Sequence, residues 1–259
     1  MKPQMKSFLR QGLARTLPFG LCLAVLAVLV GGCAHSRKAK AREVTMGFVA
    51  PPPPAFLAGP MAVLLTNTGG FSARVAFQTP QLSLPGEVQS GELLARGSKF
   101  LFAAHRNKAI ERYILPGGYS FLWDVAENRG YLLSEALQGY APVSLDLRVT
   151  NLVAHANQAV SQQFEGHPCT TEEATAQLSD GSTAVLQVWR ATDLKGFPVR
   201  MTLPSTPTPT TLSLSKVRLE PPPSDVFTVP GSFTKYPTPE AMVDELAIRQ
   251  HNLKQSSAD

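Results

Sequence analysis

Side chains able to act as nucleophiles or metal ligands are few in this sequence. There are three cysteines, Cys22, Cys33 and Cys169, and five histidines, His35, His105, His155, His167 and His251. A structural zinc takes four ligands, and His167-Pro168-Cys169 brings only two together. The chain has no HExxH, GxGxxG, P-loop or GxSxG pattern, so metalloprotease, nucleotide and common hydrolase signals are missing. Ser213 and Lys216 have an SxxK spacing. They sit in an alternating run, however, where they would face opposite ways unless a bulge reorients them. An enzyme would need the fold to gather polar groups such as His105, His155 or Asp124 in one cleft. The residues point to no catalytic group, no metal and no cofactor.

The second cysteine, Cys33, is defined by what precedes it. Residues 1–16 carry four positive charges and no acid, and Leu17 to Val30 is an uncharged run of 14 residues. That is short for a spanning helix, which needs about 20 apolar residues, and it fits the n- and h-regions of a secretory signal. The run ends Leu29-Val30-Gly31-Gly32-Cys33-Ala34. This resembles a bacterial lipobox, the end of a type II signal peptide. The resemblance implies cleavage before Cys33, diacylglycerol on its thiol and an acyl group on the new amine. Three chains exceed the two-signal minimum for stable anchoring. Ala34 after the cysteine resembles the pattern exported to the outer membrane, facing the periplasm. Cys22 then leaves with the signal and Cys33 carries lipid, so Cys169 has no internal disulfide partner and reads as a buried small hydrophobe.

Placing the charges removes a nucleic-acid reading. The net charge is +5, but Lys2, Lys6, Arg10, Arg15, Arg37, Lys38, Lys40 and Arg42 all precede the first acid, Glu43. The rest of the chain has 16 basic against 19 acidic side chains, and no basic stripe of the kind a phosphate backbone requires. The hydrophobic content of 44% is that of a folded chain rather than a disordered one.

The elements that would hold any site are mostly strands. From about Met61 apolar residues alternate, with Phe71, Ala73, Val75 and Phe77 on one face. Further alternating runs span 93–102, 119–125, 129–133, 183–191 and 197–203, as expected for half-buried antiparallel strands. Pro116-Gly117-Gly118, residues 127–130, residues 179–182 and Lys195-Gly196 supply hairpin turns. The apolar parity changes between Leu214 and Val217, which predicts a bulge near Ser215 and Lys216. Pro198 predicts an edge or a bulge in its strand. Val149, Leu152, Val153, Ala156 and Val160 have helical spacing, predicting a helix through about Gln158, with strand an alternative for its end. Thr238 as N-cap, Pro239, Glu240 and the Met242, Val243, Leu246 face predict a C-terminal helix.

In the C-terminal half the motifs form a recognisable order. They are Glu165-Gly166-His167-Pro168-Cys169, Asp180-Gly181-Ser182, Val188-Trp189-Arg190-Ala191, then residues 194–201 (LKGFPVRM) and 223–233 (PSDVFTVPGSF). This succession resembles a family of periplasmic lipoproteins similar to the Lol-type lipoprotein carriers, over about residues 91–236. The resemblance implies a mainly β (α+β) fold, a curved antiparallel sheet forming an incomplete barrel with helices on its concave face. In the carriers that hollow receives acyl chains. The carriers' own functional residues find no matching positions here.

The sequence thus divides into a signal peptide (1–32), a lipidated Cys33 with a basic, Pro-rich tether (33–60), a half-barrel (61–236), and a C-terminal helix with a polar tail (237–259). Phe71, Phe77, Phe100, Phe102, Phe121, Trp123, Trp189, Phe197 and Met201 are the candidate lining of a hydrophobic cavity, and both tryptophans are expected to anchor sheet to helix. The expected partners are a membrane, through the N-terminal lipid, and an acyl chain or lipid ligand. The alternative is a structural or interaction lipoprotein whose hollow is filled by its own helices.

Overall fold

The structure is a computed structural model and describes residues 48–79, 88–105, 118–145, 148–156, 162–204 and 209–256. The signal segment, Cys33 and the basic stretch after it lie outside the described residues, as do parts of the 116–118 turn and of the 204–209 loop.

The elements run in chain order as α1 (Gly59–Thr66), β1 (Gly70–Gln78), β2 (Val88–Arg96), β3 (Lys99–Ala104), β4 (Ser120–Asp124), β5 (Arg129–Ser134), β6 (Gly139–Val143), β7 (Val149–Ala156), β8 (Gln162–Phe164), β9 (His167–Leu178), β10 (Thr183–Ala191), β11 (Phe197–Leu203), β12 (Thr210–Arg218), β13 (Thr234–Lys235) and α2 (Pro239–Ser256). The strands form one sheet ordered β13-β6-β5-β4-β3-β2-β1-β12-β11-β10-β9-β7, with β8 paired to β9 beside β7. Only β13 and β6 pair in parallel. Two antiparallel meanders are therefore joined through β1 and β12, and the two ends of the order do not meet. The sheet is an incomplete barrel, as the sequence resemblance implies.

Both expected irregularities occur. Ser72 stands opposite Arg218 and Arg74 opposite Ser215, so Lys216 and Val217 together oppose Ala73, and Lys216 takes a φ of 52°. An extra residue of this kind kinks and twists its strand. Trp189 faces Arg200 while Arg190 faces Pro198, which leaves Val199 as the extra residue of β11. β11 is not an edge, so Pro198 is accommodated by the bulge. In α2, Thr238 Oγ1 accepts from the Ala241 amide at 3.2 Å, and Met242, Val243 and Leu246 are buried.

Over Val149–Ala156 the helix predicted through about Gln158 is instead the edge strand β7, paired with β9, and residues 157–158 lie outside the described residues. Most residues of β7 are exposed, so no buried face imposed a period-two pattern, and the helical spacing was fortuitous. The alternation expected from Met61 is helix α1 up to Thr66. This helix is buried almost all round, and an apolar run buried on every side carries no period to read. The Pro-rich stretch read as tether reaches the core as well. Pro51 and Pro54 are buried, and Phe56 and Leu57 are 1% and 0% exposed.

The concave face is built from β1 residues Phe71, Ala73, Val75 and Phe77 and their neighbours Leu93, Phe100, Phe102, Phe121, Trp123 and Leu132. Phe56 sits on it, with ring centroids 5.1 Å from Phe77 and 5.3 Å from Phe102. α1 follows and touches β2, β11 and β7, while α2 packs by β6. The outer face of β2 to β6 is covered separately: Leu122 and Leu133 pack with Phe227, Val226, Val229 and Phe233 from the returning chain. Truncating a buried aromatic costs about 3–5 kcal/mol. Phe56→Ala in a soluble chain of residues 34–259 should therefore lower the urea midpoint by an equivalent amount with m unchanged, where a residue in a solvated tether would leave the midpoint where it was.

Candidate functional site

Eight of the nine sequence-predicted lining residues come together. Phe71, Phe77, Phe100, Phe102, Phe121, Trp123, Phe197 and Met201 all belong to one buried cluster, and Phe71 meets Phe197 edge-on at 4.8 Å. Glycine opens room for two of the rings. A Cβ at Gly130 would collide with the Trp123 ring, and one at Gly91 with Phe102, so each ring lies flat over bare backbone on the adjacent strand.

Trp189 packs against the margin of that cluster and is only partly buried. Its neighbour Val188 is buried opposite Met201, and alternation turns Trp189 to the other face. There it is half-buried, donates its indole N–H to Gln162 Oε1 at 3.0 Å, and lies 5.1 Å under the Arg200 guanidinium. It anchors an outer-face cluster and no helix.

The concave face also holds polar atoms among its apolar side chains. Gln89 is opposite Phe77, Trp123 opposite Phe100, and Ser134 lies two residues beyond Leu132 on β5. Gln89 Oε1, Trp123 Nε1 and Ser134 Oγ are buried without a hydrogen-bond partner. Each such group costs about 1–3 kcal/mol, and native cores rarely leave them so. Their period-two placement inside apolar strands was the available signal. Within the covering segment the hydrogen bonds are local from Leu57 onward. The hydrogen bonds of Leu57, Ala58, Thr66 and Thr68 all run to residues 54–65 of the segment itself, and no charged residue occurs from Phe48 to Thr66.

Two clefts lie at the rim. One of about 350 Å³ is lined by Leu64, Asn67, Arg190, Lys195, Phe197 and neighbours. Its arginine is taken up by Glu172 Oε1, 2.6 Å from Nε, and by the Gly196 carbonyl, 3.0 Å from Nη1. The other, about 160 Å³, runs past Lys99, Trp123, Asp124, Arg129 and Phe227.

Residue types of a thiol hydrolase do meet near Cys169. His167 Nδ1 is 2.7 Å from Asp193 Oδ2, a pairing not foreseen because Asp193 is 26 residues away. The thiol itself donates to the His167 backbone carbonyl at 3.4 Å rather than to the ring. Burial pushes its pKa up from the ordinary range, with Asp193 adding to the rise against a backbone hydrogen bond from Phe164. An attacking thiolate needs the opposite shift. His105 at the end of β3, Asp124 opposite Lys99 at the other end of that strand, and His155 on β7 are dispersed. The described residues contain no group of three or more His, Cys, Asp or Glu placed to hold a metal.

No protein-family model and no curated protein matches the chain. Among solved structures the chain is similar to a LolA superfamily protein from Nitrosomonas europaea, at 11% identity and a TM-score of 0.35, over 64% of this chain and 95% of that one. It is similar to the lipoprotein LppX of Mycobacterium tuberculosis at 19% identity and a TM-score of 0.38, over 62% and 93%. LprF from Mycobacterium bovis has 14% identity and a TM-score of 0.33, over 66% and 95%.

The state of Cys169 is directly measurable. In a chain whose Cys22 and Cys33 are serine, iodoacetamide at neutral pH should leave Cys169 unmodified in the folded protein and alkylate it after denaturation. Rapid labelling of the native chain would mean an accessible thiolate.

Proposed function

We propose that the protein is a membrane-anchored bacterial envelope lipoprotein, lipidated at Cys33 and facing the periplasm from the outer membrane. Its half-barrel binds, without catalysis, an acyl chain or another hydrophobic ligand that carries a hydrogen-bonding group. The observation that carries this reading is the mixed character of the concave face. Aromatic and aliphatic side chains give it the affinity for a hydrocarbon chain, and Trp123 Nε1, Ser134 Oγ and Gln89 Oε1 lie among them unpaired. A core built only to be filled gains nothing from such atoms, whereas an ester or carboxyl group can use them.

Entry of a ligand is an exchange. The segment Phe56–Leu65 covers the face through apolar contact alone, so an acyl chain taking its place substitutes one apolar burial for another, and no ion pair is broken. The segment follows the tether directly, which brings the exchange close to the membrane. One observation favours the second reading, a structural or interaction module with a filled core: Phe56, Leu57 and Leu65 already bury this face.

Fluorescent fatty acid titrated into residues 34–259 separates the two. Saturable uptake, weakened about two- to tenfold by Trp123→Phe, is expected for the ligand reading, since a neutral hydrogen bond nets about 0.5–1.5 kcal/mol. No uptake supports the filled module. The anchor is tested independently by Cys33→Ser, which should move the protein from the membrane fraction to the soluble periplasmic or uncleaved pool and remove its acyl mass.

A further inference from the structure

On the sheet face opposite the covering segment, three strands bring together a second group of side chains. The Arg200 guanidinium lies 5.3 Å from the Phe164 ring and 5.1 Å from the Trp189 ring, so stacking fixes its plane. Its Nε is buried and unpartnered, and among the described residues no ion pair neutralises its guanidinium. The neighbouring carboxylates are committed or elsewhere. Asp193 binds His167, Glu172 binds Arg190, and Glu173 stands opposite Gln187.

The surrounding polar groups are donors. Trp189 gives its indole N–H to Gln162 Oε1, which occupies the amide oxygen and leaves the Gln162 NH₂ to donate. Ser213 is the cross-strand partner of Arg200 on β12, and so shares its face with a hydroxyl. A cation held in place with donors beside it is complementary to an oxyanion. A phosphate offers three or four oxygens in a tetrahedral array to donors that come from different strands, where a carboxylate offers only a planar pair.

We propose that Arg200, with Gln162 and Ser213, forms a phosphate-binding site on the convex face, separate from the apolar hollow. The phosphate can be free or that of a lipid headgroup, and the test distinguishes them.

The intact chain carrying Cys33→Ser avoids acyl insertion into vesicles, and its two tryptophans give two indole N–H resonances, assigned by Trp189→Phe. Inorganic phosphate should shift the Trp189 resonance saturably while that of Trp123 stays still, and chloride at equal ionic strength should shift neither. Arg200→Met should abolish the shift. Arg200→Lys, which keeps the charge without the planar fork, should weaken it about tenfold; it decides the matter if the methionine variant fails to fold, as judged by the Trp123 resonance. Arg200-dependent sedimentation with phosphatidylglycerol vesicles assigns the phosphate to a headgroup, and response to inorganic phosphate without sedimentation assigns it to a free ion. The proposal is overturned if phosphate causes no saturable shift, if the variants respond as the parent does, or if acetate matches phosphate.

Discussion

An open sheet of thirteen strands has one face too apolar to leave in water and no second sheet to cover it, and the chain meets this constraint with a short piece of itself. Phe56 enters between Phe77 and Phe102, and α1 continues the cover across β2, β11 and β7. Everything else about the hollow follows from this contact. The strands must curve to reach a helix of only eight residues, and the bulges opposite Ala73 and at Val199 supply local twist where β12 and β11 meet their partners. Gly91 and Gly130 let the aromatic rings lie flat enough to leave room for the cover.

Because Phe56 and α1 hold the sheet by apolar packing and carry no charge, their hold on it is strong but unspecific. Hydrocarbon of another origin meets the same face on equal terms. The polar atoms of Gln89, Trp123 and Ser134 are the specific element, since they distinguish an amphipathic ligand from the chain's own side chains. The opposite face follows a different logic. There the half-buried Trp189 and Phe164 hold a cation in place, so the two tryptophans, alike in the sequence, serve opposite faces of one sheet.

Much of this was legible in the residues, and the failures have physical causes. The strands at 183–191 and 197–203 were read with the bounds they have, because each has one buried face and turn chemistry at its ends. The parity change at Ser215 and Lys216 announced its bulge. β7 was misread because an exposed edge strand has no buried face to set its period, and α1 because a fully buried helix has none either. Eight of the nine candidate residues fall in one buried cluster, as their alternation implies, while Trp189, of the other parity beside Val188, is only partly buried against it. Asp193 beside His167, and the unpaired atoms on the concave face, depend on pairings across strands far apart in sequence and had no local signature.

The central claim is that the concave face exchanges its own cover for an amphipathic hydrocarbon ligand. The most direct measurement is the native mass spectrum of residues 34–259 secreted to the periplasm, followed by lipid extraction. The account predicts a bound population heavier by the mass of an acyl-bearing lipid, released on denaturation. A single mass equal to that of the polypeptide, with no lipid in the extract, would contradict it and leave a tethered module whose core is closed by its own chain.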